Sequence, residues 1–333
     1  KQLKKHFIDV LGLAELEKNT YTGFYTTVTN FSSDLMGFDN LQAGALRPWE
    51  GTGSYYEEPH LASFLGRVNY TYDDRYVLTV NARTDASSKF GANHKWGFFP
   101  SVSAAWNVSN EQFMKQITWI DNLKLRLGYG LAGNQGGIDS YTTMNLVRPN
   151  GVAPVGNSPV VTYETLRNIN PDLKWEVKHT FNAGFDVGFY GNRLLLSVNY
   201  YNSKTTDMLY NYRVSVPPFT YNTLLANIGS MRNSGTEISV GITPLKTKDM
   251  ELNINANITF QKNKLLSLNG MYNGEYISAS EYTVIAGLDG AGFHGGYNNI
   301  VYQIVGQPLG VFYLPHCTGL VPDGNGGYKY EIA

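Results

Sequence analysis

Residues 250 to 261 alternate almost perfectly, with Met250, Leu252, Ile254, Ala256, Ile258 and Phe260 apolar and only polar groups between them. Side chains on a strand point to opposite faces with period two, so this spacing predicts a strand with one oily face and one wet face. The pattern recurs. Leu123, Leu125, Leu127, Tyr129 and Leu131 alternate with Lys124, Arg126, Gly128 and Gly130, and Phe181, Ala183, Phe185, Val187 and Phe189 alternate with Asn182, Gly184, Asp186 and Gly188. A further hairpin is expected between Phe64 and Arg83, with Val68, Tyr70 and Tyr72 before a tight turn at Asp73-Asp74-Arg75 and Tyr76, Leu78, Val80 and Ala82 after it. The chain reads as all-β.

An antiparallel sheet packed on a protein core and one packed on lipid share this alternation. The connections separate them. Short turns at 73–75, at 190–192 and at 244–249 take turns with long polar stretches near 84–96, 132–172, 203–232 and 263–297. Short turns at one rim and long loops at the other are the mark of an outer-membrane barrel, so a transmembrane antiparallel β-barrel is expected. The alternative is a soluble or surface β-sandwich, an adhesin or glycan-binding module without transport.

In a barrel, Lys124, Arg126, Asp186 and Glu251 must face the lumen, because a basic group at the lipid midplane costs about 2–4 kcal/mol and an acidic one somewhat less. The same wall would present Asn253, Asn255, Asn257, Thr259 and Gln261, donors and acceptors suited to a wet cavity and a neutral, hydroxyl-rich cargo. Tyr272, Tyr276, Tyr282, Phe293 and Tyr297, in a Gly-rich stretch with Asn273, Asn298 and Asn299, are candidates for cargo contact in the loops, the plainer reading being that they pack the loop itself.

Charged residues make up only 16% of the chain while Tyr 24, Phe 16 and Gly 35 are high, a mix suited to strands ending in aromatic girdles. A net charge of −1 leaves no basic excess for nucleic acid. No helical run of about 20 apolar residues is present, so spanning would be by strands. The single Cys317 cannot form a disulfide within the chain. The amino end, Lys-Gln-Leu-Lys-Lys-His, has no apolar segment of the signal-peptide kind.

Motifs for chemistry are weak. Gly128-Tyr129-Gly130-Leu131-Ala132-Gly133 matches a dinucleotide fingerprint, but no helix pattern follows, and the glycines are better read as thinning a wall near its rim. Asp323-Gly324-Asn325-Gly326-Gly327 resembles the opening of a calcium loop and reads more simply as a hairpin turn. Glu57-Glu58 and Asp73-Asp74 are adjacent carboxylates that would point to opposite faces of a strand, His316-Cys317 lacks metal-site spacing, and the sequons at Asn30, Asn69, Asn107 and Asn257 fall mostly in strands. No catalytic residue, cofactor or metal is expected. A glycosidase would need a pair of carboxylates across a cleft, and none is signalled.

Longer motifs carry a resemblance. Ser63-Phe64-Leu65-Gly66-Arg67-Val68-Asn69-Tyr70, Ser88-Lys89-Phe90-Gly91, Trp96-Gly97-Phe98-Phe99-Pro100-Ser101, Asn110-Glu111-Gln112-Phe113-Met114, Gly133-Asn134-Gln135, Asn170-Pro171-Asp172-Leu173-Lys174-Trp175-Glu176, Thr206-Asp207-Met208-Leu209, Asn227-Ile228-Gly229, Asn233-Ser234-Gly235-Thr236-Glu237 and Gly306-Gln307-Pro308-Leu309-Gly310 follow one another in an order that resembles the SusC/RagA family of TonB-dependent outer-membrane transporters of Bacteroidetes. The resemblance implies that residues 1–333 are part of one 22-stranded barrel domain, with the plug and the last strands absent from the chain. It implies TonB-dependent uptake of oligosaccharides or peptides, a SusD-like lipoprotein as partner that the loop aromatics could meet, contact with TonB through a segment absent here, and a wall seated in outer-membrane lipid.

Overall fold

The computed structural model describes residues 2–3, 5–35, 37–48, 51–279, 282–287, 299–314, 316–322, 324 and 327–332. A ten-stranded antiparallel sheet organises them. Its strands, in chain order, are β1 (Gln2–Leu3), β2 (His6–Lys18), β3 (His60–Tyr72), β4 (Tyr76–Ser87), β5 (Trp96–Asn107), β6 (Ile120–Asn134), β7 (Glu176–Phe189), β8 (Leu194–Arg213), β9 (Thr223–Lys246) and β10 (Glu251–Ser267). Order in space equals order along the chain, so each strand pairs with the one before and the one after it. Among the described residues the outer edge of β10 has no partner strand, and that of β2 is covered only at His6 and Phe7.

The predicted faces hold throughout. One row of directly opposed residues runs Tyr72, Tyr76, Trp106, Leu125, Phe185, Val198, Ile238 and Ile258 from β3 to β10, with no polar member except the tyrosine hydroxyls. Two residues along, the row Tyr70, Leu78, Ala104, Leu127, Ala183, Tyr200, Thr236 and Phe260 faces the same way. The opposite face carries Asn107, Lys124, Asp186, Ser197, Ser239 and Asn257 in one row, as the cost of charge in lipid requires. Among the described residues no second sheet covers the apolar face: Leu127 is 56% exposed, Ile258 52% and Phe260 60%. The sandwich alternative therefore fails, since its oily face would have to be buried on a partner sheet.

The strands are staggered. On β3 the outward apolar run ends at Tyr72, beside a short turn, whereas on β10 it continues from Ile258, in the same row, down to Leu252. A descent of six residues over seven strand steps corresponds to a tilt of about 30°, close to that of barrel walls.

Short connections at 73–75, 190–193 and 247–250 lie at one end, and 19–59, 88–95, 135–175 and 214–222 lie at the other. At 73–75 the turn places Asp73 and Asp74 at φ 52° and 53°, the paired left-handed conformation that follows the twist of a two-residue hairpin. Two expected loops are shorter than the sequence suggested. The stretch 203–232 is mostly strand, because β8 and β9 continue to Arg213 and from Thr223 and bury Tyr212, Leu224 and Ala226 against Ile277. The stretch 84–96 is a loop only over 88–95. On the short-turn side, 108–119 is a longer link with 3-10 turns at Val108–Asn110 and Gln112–Gln116.

Candidate functional site on the inward face

At the long-loop end, residues from four segments close into a small core. Phe90, Phe99, Ile138, Leu173 and Trp175 are buried together, with Leu61, Leu131, Val177, Leu209 and Leu225 packed around them. The Trp175 indole donates to the Lys95 carbonyl at 3.1 Å, and Lys89 Nζ donates to the Ile138 carbonyl at 2.8 Å. Gly91 permits the approach: a Cβ there would stand 2.2 Å from the Pro171 carbonyl oxygen.

Three asparagines fasten the end of the 135–175 connection. Asn168 donates to the Tyr221 and Thr223 carbonyls and accepts from the Thr220 and Tyr221 amides; Asn170 donates to the Leu225 carbonyl at 2.9 Å. Asn227 reciprocates, accepting from the Lys174 amide and donating to the Lys174 and Asp207 carbonyls. A carboxamide has the same donor and acceptor as a peptide group, so each side chain extends the sheet's bonding where no strand is available.

Below this core the inward face is a polar lattice. Arg83 Nε sits 2.9 Å from both oxygens of Asp85 and its Nη2 donates to Ser63 at 3.1 Å. Arg67 Nε donates to Asn81 at 2.6 Å, and Asn81 donates to Ser101 at 3.0 Å. Arg67, Asn81, Arg83, Asp85 and Ser101 line a concavity of about 570 Å³ whose apolar lining includes Leu61, Leu65, Phe99 and Trp175. Gln135 also lines it, with a buried Oε1 that has no partner among the described residues. A second concavity, of about 460 Å³, contains Asp186, Leu195, Ser197, Ser239, Asn255 and Asn257. There Arg126 holds Asp186 at 2.8 and 2.9 Å, reaches Asn199 at 2.7 Å, and Ser197 completes the carboxylate at 2.7 Å. On this face Arg83 is paired with Asp85 and Arg126 with Asp186, among amides, hydroxyls and the exposed Arg67.

Near the mouth, Glu58 accepts from Tyr56 and bridges Lys18 Nζ and His60 Nε2, each at 3.0 Å. These hydrogen bonds, that of Tyr56 foremost, hold its carboxyl down at about 2. At the opposite rim Glu111 accepts from Tyr76, Trp106 and Arg75 at 2.8, 3.1 and 3.1 Å, and its carboxyl also lies below the usual range, chiefly through the Tyr76 bond.

Residues 7–330 match the family described as "TonB dependent receptor-like, beta-barrel". The chain belongs to this receptor family. TonB-dependent receptor P26 of Formosa agariphila is 35% identical over 276 residues, covering 80% of this chain and 27% of that protein. TonB-dependent receptor SusC of Bacteroides thetaiotaomicron is 34% identical over 247 residues, covering 68% of the chain and 24% of that protein. The chain thus spans about a quarter of the length of these curated relatives. Among solved structures, that of the RagAB peptide transporter superposes with a TM-score of 0.72 at 24% identity over 99% of this chain and 35% of that one, a likeness of fold. The TonB-dependent receptor barrel is an outer-membrane β-barrel, so the apolar face described above meets lipid.

In this receptor wall the expected inward residues and the expected loop aromatics fare differently. Asn255 and Asn257 line the smaller concavity, and Asn253 is engaged, accepting from Thr243 at 2.7 Å and donating to Glu251 at 3.0 Å. Tyr272 packs on the Tyr212 core, where burial raises its hydroxyl pKa, while Tyr276 on the same hairpin (Asn269–Tyr272 with Glu275–Ser278) is 65% exposed. Tyr282 begins a strand of a separate small sheet, Tyr282–Gly287 with Asn299–Ile304 and Val311–Phe312. Phe293, Tyr297 and Asp323 of the calcium-like turn lie outside the described residues. The lattice around Arg67, Arg83 and Asp85 was missed, although Arg83 and Asp85 are two apart and hence on one face.

Proposed function

We propose that this chain is the wall of an outer-membrane importer that admits neutral, hydrogen-bonding cargo, an oligosaccharide or a peptide, driven through TonB and shared with a SusD-like surface lipoprotein. The observation that carries this reading is the division of one sheet between two solvents: an unbroken apolar face, and behind it a lattice of paired charges, carboxamides and hydroxyls around two open concavities. Such a lattice exchanges hydrogen bonds with a passing polar ligand without holding it through a strong uncompensated field. The names of SusC and of the RagAB peptide transporter support the same reading.

The test is purification of the full-length protein from its native outer membrane in mild detergent, with mass spectrometry of what accompanies it. A lipoprotein of the SusD type together with a glycan or peptide is the expected result. A preparation carrying neither, and unable to take up either class in cells, overturns the reading.

A further inference from the structure

On β7 to β10 the outward face changes character at one height. The apolar rows give way to Asn202, Ser234 and Lys262 opposite one another, in line with Phe181. The next outward row consists of His179, Lys204, Arg232 and Lys264, each directly opposite the next. The intervening inward row is Thr180, Ser203, Asn233 and Asn263; Ser203 is buried and bonded to Thr180 at 3.0 Å, and Asn263 accepts from the Leu309 amide at 2.8 Å. The loop residue Leu309 meets Asn263 on that inner side, and the alternation along each strand puts the basic side chains on the outer one. Lys204, Arg232, Lys262 and Lys264 are all exposed, and no carboxylate of the described residues lies within ion-pair reach of any of them.

Like charges directly opposite on a sheet repel and destabilise it. Three in consecutive register, with a fourth one step below, call for an anion. Their position says which one. The row lies immediately beyond the apolar band, at the end away from the short turns, which in this family of barrels is the cell-surface side. Lipid chains resting on Phe181, Tyr200 and Phe260 would bring their headgroups level with Arg232 and its neighbours, two residues beyond Phe181 and four beyond Tyr200 and Phe260, roughly 7 to 13 Å farther along the strands. Arg232 offers a planar fork to phosphate oxygens, and the lysines offer mobile point charges on either side. Juxtamembrane Lys and Arg are each drawn to an anionic leaflet, an attraction that sums over the cluster.

We propose that His179, Lys204, Arg232, Lys262 and Lys264 form a binding site on the outside of the wall for the phosphate of an outer-leaflet lipid, whose acyl chains lie on the apolar rows beneath. The site is separate from the inward face and does not depend on which cargo the lumen carries.

Native mass spectrometry of the full-length protein in mild detergent tests it, with three probes: phosphorylated lipid A, the same lipid stripped of phosphate, and inorganic phosphate. Wild-type protein should retain the phosphorylated lipid at least tenfold better than the stripped one, with the gap narrowing as salt rises, and should not retain inorganic phosphate. K204Q/R232Q/K264Q should lose at least tenfold in the phosphorylated form alone. Equal retention of the two lipids by wild type overturns the proposal without any variant. So does an unchanged gap in the folded triple variant, retention of inorganic phosphate as firmly as lipid, or a self-association that the triple variant abolishes and lipid does not affect.

Discussion

The ring of Phe99 lies over Gly133, so close that a Cβ built there would stand 2.1 Å from Cζ and within 2.7 Å of two further ring atoms. The same ring meets Trp175 edge-on, with centroids 5.6 Å apart, and therefore cannot retreat in that direction. Gly133→Ala should force the ring off its seat and destabilise the mouth core by about 1–3 kcal/mol. Urea midpoints of the full-length protein, followed by the gel shift of the folded barrel, check this; an unchanged midpoint would mean that the ring is not wedged.

Arg126 and Asp186 meet through two parallel hydrogen bonds, but each is about one-third exposed, so water and salt screen the pair. A double-mutant cycle with Arg126→Ala and Asp186→Ala should return a coupling of about 0.5–1 kcal/mol, smaller in high salt. A coupling above about 3 kcal/mol would show that the lumen around them is far drier than their exposure indicates.

The two faces should answer oppositely to the same charge. Leu127→Arg places a guanidinium among Ala104, Ala183 and Tyr200 and should cost about 2–4 kcal/mol if it lies near the midplane. Asn257→Arg, opposite Ser239 on the inward face, should leave insertion intact, and Asn255→Leu should alter cargo uptake without reducing the folded fraction. Heat-modifiability gels and whole-cell uptake read both; equal insertion defects from Leu127→Arg and Asn257→Arg would invert the assigned facing.

Glu58 ties the end of β2 to the start of β3 through Lys18 and His60. Its folded pKa, about 2, lies below its ordinary 4.5, so its stabilising contribution is complete above about pH 4.5 and is lost as pH falls toward 2. Protection of the 19–59 connection from an acid protease should stay level from neutral pH to about 4.5 and then decline. Glu58→Gln should remove that pH dependence; a decline centred near neutrality in wild type would assign it to another group.

The outward face was legible in the sequence because alternation is local: Leu125, Leu127 and Tyr129 needed no knowledge of their neighbours. His6–Lys18 was not read as a strand, since Phe7 beside Ile8 and Val10 beside Leu11 break the alternation where Phe7 and Leu11 face inward with Asp9. The length of β8 and β9 was hidden for a different reason. Asn211, Arg213 and Asn227 look like loop residues until Tyr212 and Leu224 are seen buried between them. The mouth core joins Phe90 to Trp175 across 84 intervening residues, and the carboxamide bonds of Asn168 and Asn227 are tertiary, so spacing does not show them; Phe90, Trp175 and Asn227 fall within the family-like motifs, whereas Asn168 falls in none.

Those carboxamide bonds have a bearing on how such a protein changes over time. Because Asn168, Asn170 and Asn227 anchor the return of the 135–175 connection just before β7, and Ile138 anchors its departure, the hairpin of Val147–Val155 and Ser158–Thr165 between them is a detachable head on a fixed stem. Lengthening, shortening or exchanging that head alters what the cell surface displays and leaves every rung of the wall in register.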